Sequence, residues 1–422
     1  MFERNSNTDF AKSKLKYAYK RKKYDEYHLR PLPKIPLWPA IRDFQWYELY
    51  KIIVPLDYTE PLSFLQRLTE DFEYAHLLNK AAQIADSLEQ CAYVAAFAIS
   101  AYSSTAERLA KPFNPILGET FEFDNLEKGG WRSLAEQVSN RPPTTAFFVE
   151  GRKWKLSQLF SMHSTFPGNK MEFSPITSIH LEFESGNKYR WGKVKTVLHD
   201  IIHGNPFIDN EGFMEIINET TDEICNLSFF PYDVLNKNYQ RKVLGCILDK
   251  SGETRWTLDG KWDKGVRIAR VQTVIDDDGI VSYQRGLFKT IWKCDPLPDE
   301  DPGMYHMPNF ARQLNMYEEK VAPTDSRRRI DIRAFELGDL QQAAFFQMKI
   351  EGLRRKQLRT HGPKDSECTP EGLPFFPTWF IKLEKEDTKE TLYKYNNEYW
   401  ESKARGSWFI CPNIYPPDLK EQ

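Results

Sequence analysis

Lys111-Pro112-Phe113-Asn114-Pro115-Ile116-Leu117-Gly118-Glu119-Thr120 stands where the pattern of the chain changes. Before it, Leu62, Leu65, Leu68 and Phe72 recur at three- and four-residue steps, and alanine is dense from Ala81 to Ala106. That is the period and the composition of packed helices over residues 61–109. Pro61, with Glu60 and Ser63 beside it, suits a helix start. After Phe121 the period becomes two, as in Ile179-His180-Leu181-Glu182-Phe183-Glu184, Val194-Lys195-Thr196-Val197-Leu198, Val243 to Asp249 and Val266 to Val271. Turn signals at Ser185-Gly186-Asn187, Lys250-Ser251-Gly252 and Asp276 to Gly279 separate the runs. Many strands with short turns and no long helix between them predict an antiparallel sheet that must close or sandwich to hide its edges. A closed sheet of this length is wide enough to enclose a ligand. The predicted class is α+β, mainly β: a near-closed antiparallel barrel over about residues 110–295, after the helical block.

A second stretch, Glu136-Gln137-Val138-Ser139-Asn140-Arg141-Pro142-Pro143, has the same character as the first. In both, prolines stiffen the backbone next to groups that can hold an anion. Lys111, Asn114, Asn140 and Arg141 are therefore candidates for a pre-set polar rim. The plain alternative makes Lys111 and Asn114 turn residues and pairs Arg141 with an acid such as Glu136 or Glu119.

The two stretches together resemble the signature of the oxysterol-binding-protein-related lipid-transfer proteins, K-P-F-N-P-x-L-G-E-T followed by E-Q-V-S-H-H-P-P. The second departs from it, because Asn140 and Arg141 stand where the family has paired histidines. Pro323-Thr324-Asp325-Ser326-Arg327-Arg328-Arg329-Ile330-Asp331-Ile332-Arg333, Trp379-Phe380 and Cys411 to Tyr415 extend the likeness, which covers roughly residues 36–416. The resemblance implies a lipid tunnel within the barrel. It makes residues 37–56 a lid, with Trp38, Phe44, Trp46, Leu49, Ile52 and Ile53 as lipid contacts. It also implies one lipid-binding domain over 36–418, with a helical C-terminal extension over about 323–418. The family holds a phosphoinositide head group with the motif lysine, the two histidines, and a Lys, Glu and Arg at four-residue steps on a late helix. Carried over, these become Lys111, Asn140, Arg141, Gln347, Glu351 and Arg355, with Asn114 beside them. Residues 347, 351 and 355 share one helix face. Arg141 offers a planar, permanently charged fork for phosphate oxygens, whereas Gln347 removes one positive charge. Glu351 and Arg355 also read as an ordinary surface pair.

The 422 residues are 41% hydrophobic and 14% aromatic, ample for a large core, and the formal net charge of -2 excludes a general polyanion or nucleic-acid binder. Residues 1–35 form a basic leader with Lys12, Lys14, Lys16 and Lys20 to Lys23 around Tyr17 and Tyr19, ending in Arg30-Pro31-Leu32-Pro33. Such an arm either touches anionic lipid heads or is simply solvated. The six cysteines are scattered without a C-x-x-C pair, which suits a reducing cytosol. The longest apolar run, Cys91 to Tyr102, is too short to span a bilayer. The expectation is a cytosolic protein, peripheral at organelle membranes or membrane contact sites. Its partners would be a sterol or phospholipid and the membranes it visits; the sequence names no protein partner.

No G-x-S-x-G elbow, Walker loop or G-x-G-x-x-G occurs, so no catalytic residue or cofactor is expected. His199 and His203 would share a face whether helical or extended, but no third ligand is evident and no metal is expected. The resulting expectation is a carrier that binds one lipid and transfers it between membranes, exchanging it for phosphatidylinositol 4-phosphate. The alternative is a lipid-sensing scaffold that has lost the head-group site.

Overall fold

The computed structural model describes residues 55–203, 205–275, 281–298, 305–359, 374–384 and 391–415. The basic leader and the lid candidates Trp38, Phe44, Trp46, Leu49, Ile52 and Ile53 lie outside the described residues.

The helical block starts differently from the expectation. Pro61 sits inside a strand, β1 (Thr59–Ser63), and helix α1 (Phe64–Thr69) begins only after Ser63. Ser63 Oγ accepts from Leu65 N at 3.3 Å, while Gln66 Oε1 accepts from Ser63 N at 2.7 Å, a reciprocal cap that satisfies two free donors. The proline is tolerated because β1 belongs to a two-stranded sheet, paired in parallel with β2 (Lys111–Phe113). Thr59 therefore lies opposite Lys111, and Ser63 opposite Phe113. Helices α2 (His76–Ala81) and α3 (Ser87–Ser100) follow. Asp86 caps α3, accepting from Leu88 N at 2.9 Å and Glu89 N at 3.1 Å. From Gln90 to Ser100 every residue of α3 is buried, which explains its small, apolar composition on all sides.

The strands are β3 (Thr120–Asn125), β4 (Trp131–Asn140), β5 (Pro143–Gly151), β6 (Trp154–Thr165), β7 (Lys170–Phe183), β8 (Lys188–Trp191), β9 (Lys195–His199), β10 (Phe207–Asn218), β11 (Glu223–Phe229), β12 (Lys242–Leu248), β13 (Thr254–Lys261), β14 (Gly265–Ile275), β15 (Val281–Arg285) and β16 (Lys289–Lys293). They form one sheet of antiparallel pairs running from β15 through β14 to β3, with β16 beside β14 and β9 bridging β7 and β10. Among the described residues, the backbone pairing does not join the end strands β15 and β3. The sheet curls around the helical block. Phe72 packs on Trp131, Phe147 and Trp154 of β4 to β6, while α3 packs on β11 to β14 and β16.

The long strand β7 carries two partners in succession. Its first half pairs with β9, Lys170 opposite His199, and its second with β8, Ile179 opposite Trp191. The break between β8 and β9 leaves Lys193 and Val194 outside either ladder, and both line the cavity described below.

The C-terminal part is not purely helical. Helices α4 (Asn309–Gln313), α5 (Ile330–Glu336), α6 (Leu340–Arg359) and α7 (Tyr399–Arg405) are joined by a hairpin of β17 (Phe380–Glu384) and β18 (Thr391–Tyr395). Within the predicted extension the helical pattern runs from Ile330 to Arg359 but is interrupted. Gly338, at φ +74, closes α5 before α6 starts.

Candidate functional site

The two sequence motifs are neighbours in space because β3 pairs with β4, placing Thr120 opposite Glu136. Gly118 N donates to Gln137 O and Gln137 N to Glu119 O, both at 2.9 Å. Gly118 has φ +80, a conformation open to glycine and strained for other residues. Its Cα faces Phe375, Pro412 and Ile414, so an added side chain would also meet the C-terminal segment. Glu119 holds the loop shut. Its Oε1 accepts from Ser63 Oγ at 2.6 Å and Ser326 Oγ at 2.7 Å, and its Oε2 from Ile116 N at 2.9 Å and Arg329 NH1 at 3.0 Å. A buried carboxylate with that many donors is fully paired, and it ties β1, the first motif and the Arg327–Arg329 segment into one rigid frame.

Lys111 stands on this frame. Its Nζ donates to Asn114 Oδ1 at 2.6 Å and to Pro112 O at 3.3 Å. Asn114 Nδ2 in turn donates to Glu351 Oε1 at 3.1 Å, so the first motif is locked onto α6. Glu351 Oε2 pairs with Arg354 NH1 at 3.3 Å. Burial pulls the Lys111 pKa down to about 8; Glu351 opposes the shift, while Arg354 and Arg329 add to it. Lys111, Asn114 and Arg354 all line a cavity of about 340 Å³.

The cavity wall is mostly apolar. Phe64 and Leu68 of α1, Phe160 and Met162 of β6, Met171 and Phe173 of β7, Leu198 of β9 and Ile208 of β10 contribute to it. The polar groups within are largely satisfied by one another. Lys193 pairs with Asp71, Tyr102 OH accepts from Val194 N at 2.8 Å, and Thr145 Oγ1 donates to Gln137 Oε1 at 2.8 Å. Arg108 is buried between Glu60 and Glu70, with bonds of 2.8 to 3.0 Å to both. The volume falls in the range of small-molecule sites, and an apolar wall with a few fixed polar groups is the usual make-up of one.

The structure therefore brings Lys111, Asn114 and Glu351 together and separates them from the other head-group candidates. Asn140 ends β4 and is buried, and Arg141 is exposed in the two-residue turn before β5, its peptide to Pro142 being cis. Neither lines the cavity, and nor does Gln347, which is half-buried on α6. Arg355 has its backbone in α6, and its side chain lies outside the described residues. A cavity-lining cation of the late helix that sequence reasoning missed is Arg354. It lies three positions after Glu351 rather than four, and both spacings fall on one helix face. His199 and His203 do not share a face. Asp200, at φ 55, ends β9, and His203 sits exposed beside it at 2.8 Å. No helix among the described residues is long and apolar enough to cross a membrane, which says nothing of strands.

Residues 36–404 match the sequence profile described as Oxysterol-binding protein. The chain is 40% identical over 400 residues to oxysterol-binding protein 2 of Mus musculus, covering 92% of this chain and 44% of that protein. It is 33% identical to oxysterol-binding protein-related protein 1C of Arabidopsis thaliana, covering 90% and 45%. The chain thus spans less than half the length of these relatives. Its fold is similar to a crystal structure of the Osh1 ORD domain in complex with ergosterol, with TM-score 0.80, 27% identity and coverage of 98% and 100%. It is also similar to the Osh3 ORD of Saccharomyces cerevisiae in complex with PI(4)P, with TM-score 0.77, 27% identity and coverage of 94% and 100%. On the profile match and the shared identity over nine-tenths of its length, the chain belongs to the oxysterol-binding protein family.

Proposed function

We propose that this chain takes one lipid from a membrane into the cavity between α1 and β10 and delivers it to another membrane. The observation that carries the reading is a cavity with a mostly apolar wall that also carries the cations Lys111 and Arg354. The similar Osh1 and Osh3 domains hold ergosterol, cholesterol and PI(4)P, so the cargo class is a sterol or phospholipid. Transfer needs no covalent step. Burying the apolar body of a lipid stabilises the complex by about 25 cal/mol per Å². The residues from 36 to 418 would act as one domain, with 37–56 as its lid, working in the cytosol at organelle membranes or membrane contact sites. Exchange would follow if a phosphoinositide competes for the same cavity, its phosphates meeting Lys111 and Arg354.

A lipid-sensing scaffold is the second reading, favoured by one observation: Arg141 and Gln347 are both off the cavity wall. The test is to incubate the purified chain with mixed-lipid vesicles, re-isolate it, and identify extracted lipid by mass spectrometry. Stoichiometric sterol with phosphatidylinositol 4-phosphate supports exchange. If the phosphoinositide is extracted only by a variant carrying Asn140→His, Arg141→His and Gln347→Lys, the natural head-group site is lost. An empty protein overturns the transfer reading.

A further inference from the structure

Three metal-ligand side chains gather behind the cavity wall: His199 at the end of β9, and Asp209 and Glu211 on β10. One ligating atom from each lies within 4.8 Å of the others. Register explains the gathering. Phe207 pairs with His199, Asp209 with Val197 and Glu211 with Lys195. Alternation along β10 puts 207, 209 and 211 on one face, while Ile208, with Thr196 and Leu198 of β9, lines the cavity on the other. The cluster thus lies outside the lipid site, on the back of two of its wall strands.

Two atoms of these side chains that could ligate a metal are left without partners. Asp209 is only 2% exposed; its Oδ1 accepts from Asn210 N at 3.0 Å and the Tyr232 amide also acts on the carboxylate, but its buried Oδ2 has no partner at hydrogen-bond distance. His199 Nε2 is likewise buried and unpartnered. Such atoms are costly to leave unpaired in a folded chain. Of the neighbouring cations, one already touches the cluster and the other is paired outside it. Lys195 pairs with Glu211 at 2.9 Å and Glu172 at 3.1 Å, and Arg241 with Asp263 and Glu107 at 2.9 Å. The imidazole is held in place by stacking on Phe207, 4.7 Å between ring centres at 7°.

We propose that His199, Asp209 and Glu211 form a binding site for a zinc-like divalent cation, with a fourth position left to water. One imidazole nitrogen and two carboxylate oxygens suit zinc, whereas calcium and magnesium favour all-oxygen shells. Glu211 meets Lys195 through Oε1, so a bound cation would share this carboxylate with the ammonium. The ion would clamp β9 to β10 on the outer face and stiffen the wall strands that carry Thr196, Leu198 and Ile208.

The test uses the full chain stripped with a chelator, loaded with zinc sulfate and freed of excess metal. Retained zinc is measured by mass spectrometry and the unfolding temperature with and without zinc. One zinc per chain and a higher unfolding temperature are expected, with His199→Gln and Glu211→Gln each weakening retention by roughly tenfold or more. Asp209→Asn should do the same; if it fails to fold, the half-buried Glu211 still decides the matter. His203→Gln, which alters the exposed neighbouring histidine, should retain zinc. No retained zinc in the wild type, or equal retention by His199→Gln and Glu211→Gln, overturns the proposal and leaves a direct His199–Asp209 hydrogen bond as the fate of both orphan atoms.

Discussion

Arg354 donates to Glu351 at 3.3 Å across one turn of α6, while Asn114 donates to the other oxygen of the same carboxylate at 3.1 Å. Arg354 is therefore already paired, and in the proposed function Glu351 would compete with an incoming phosphate for it. Arg354→Gln is expected to weaken phosphoinositide extraction by about 1.5–3 kcal/mol, roughly tenfold to a hundredfold, because a charge-assisted bond is lost. Glu351→Gln removes the competing anion and is expected to strengthen extraction. Sterol uptake should be unchanged in both. Vesicle extraction assays of the two variants check this, and phosphoinositide uptake by Arg354→Gln at the wild-type level would refute it.

Lys111 carries a pH dependence. Burial first, with Arg354 and Arg329 adding, brings its pKa down from 10.5 to about 8. Between those values the unfolded chain holds a proton that the folded chain has released, so this group makes stability rise with pH from about 8 to 10.5. Lys111→Met should flatten that rise in urea titrations. A bound phosphate favours the ammonium, so phosphoinositide affinity should fall as pH climbs from about 7 to about 9, and the fall should vanish in Lys111→Met.

Met162 is a half-buried wall residue on β6, and its replacement by tryptophan fills cavity space. Met162→Trp is expected to reduce sterol uptake from vesicles to background, with a modest change in unfolding temperature, since the added ring occupies an existing void rather than close-packed core. Normal uptake would mean that the lipid sits elsewhere.

Arg108 is 1% exposed and lies between two buried carboxylates, Glu60 and Glu70. Arg108→Met leaves Glu70 without its ion pair and Glu60 with only Arg67, 2.8 Å away, and should cost about 3–5 kcal/mol in urea unfolding. Adding Glu60→Gln and Glu70→Gln should recover part of that loss. If the triple variant is no better than the single one, packing of the Arg108 stem is what matters.

The alternating runs at Ile179, Val194, Val243 and Val266 were legible because a strand with one buried face writes its period into the sequence. They fall in β7, β9, β12 and β14, and the apolar, alanine-dense stretch falls in the buried α3. Pro61 misled because its local preference for a helix start was overridden by pairing of β1 with β2, some fifty residues away. The hairpin at Phe380 to Tyr395 was hidden in a segment rich in aromatics, where composition does not separate strand from loop.

By itself the sequence determined the order of helical and stranded segments, the two motifs and the family, because these rest on period and residue identity along the chain. Tertiary structure alone decided which charged groups meet. Lys111 and Arg354 are 243 positions apart and line one cavity because Asn114 links the first motif to Glu351 on α6. Arg141, whose charge suited phosphate on paper, is exposed in a hairpin turn. The side of a turn or helix that a side chain occupies depends on what packs against it, and that is set by distant parts of the chain.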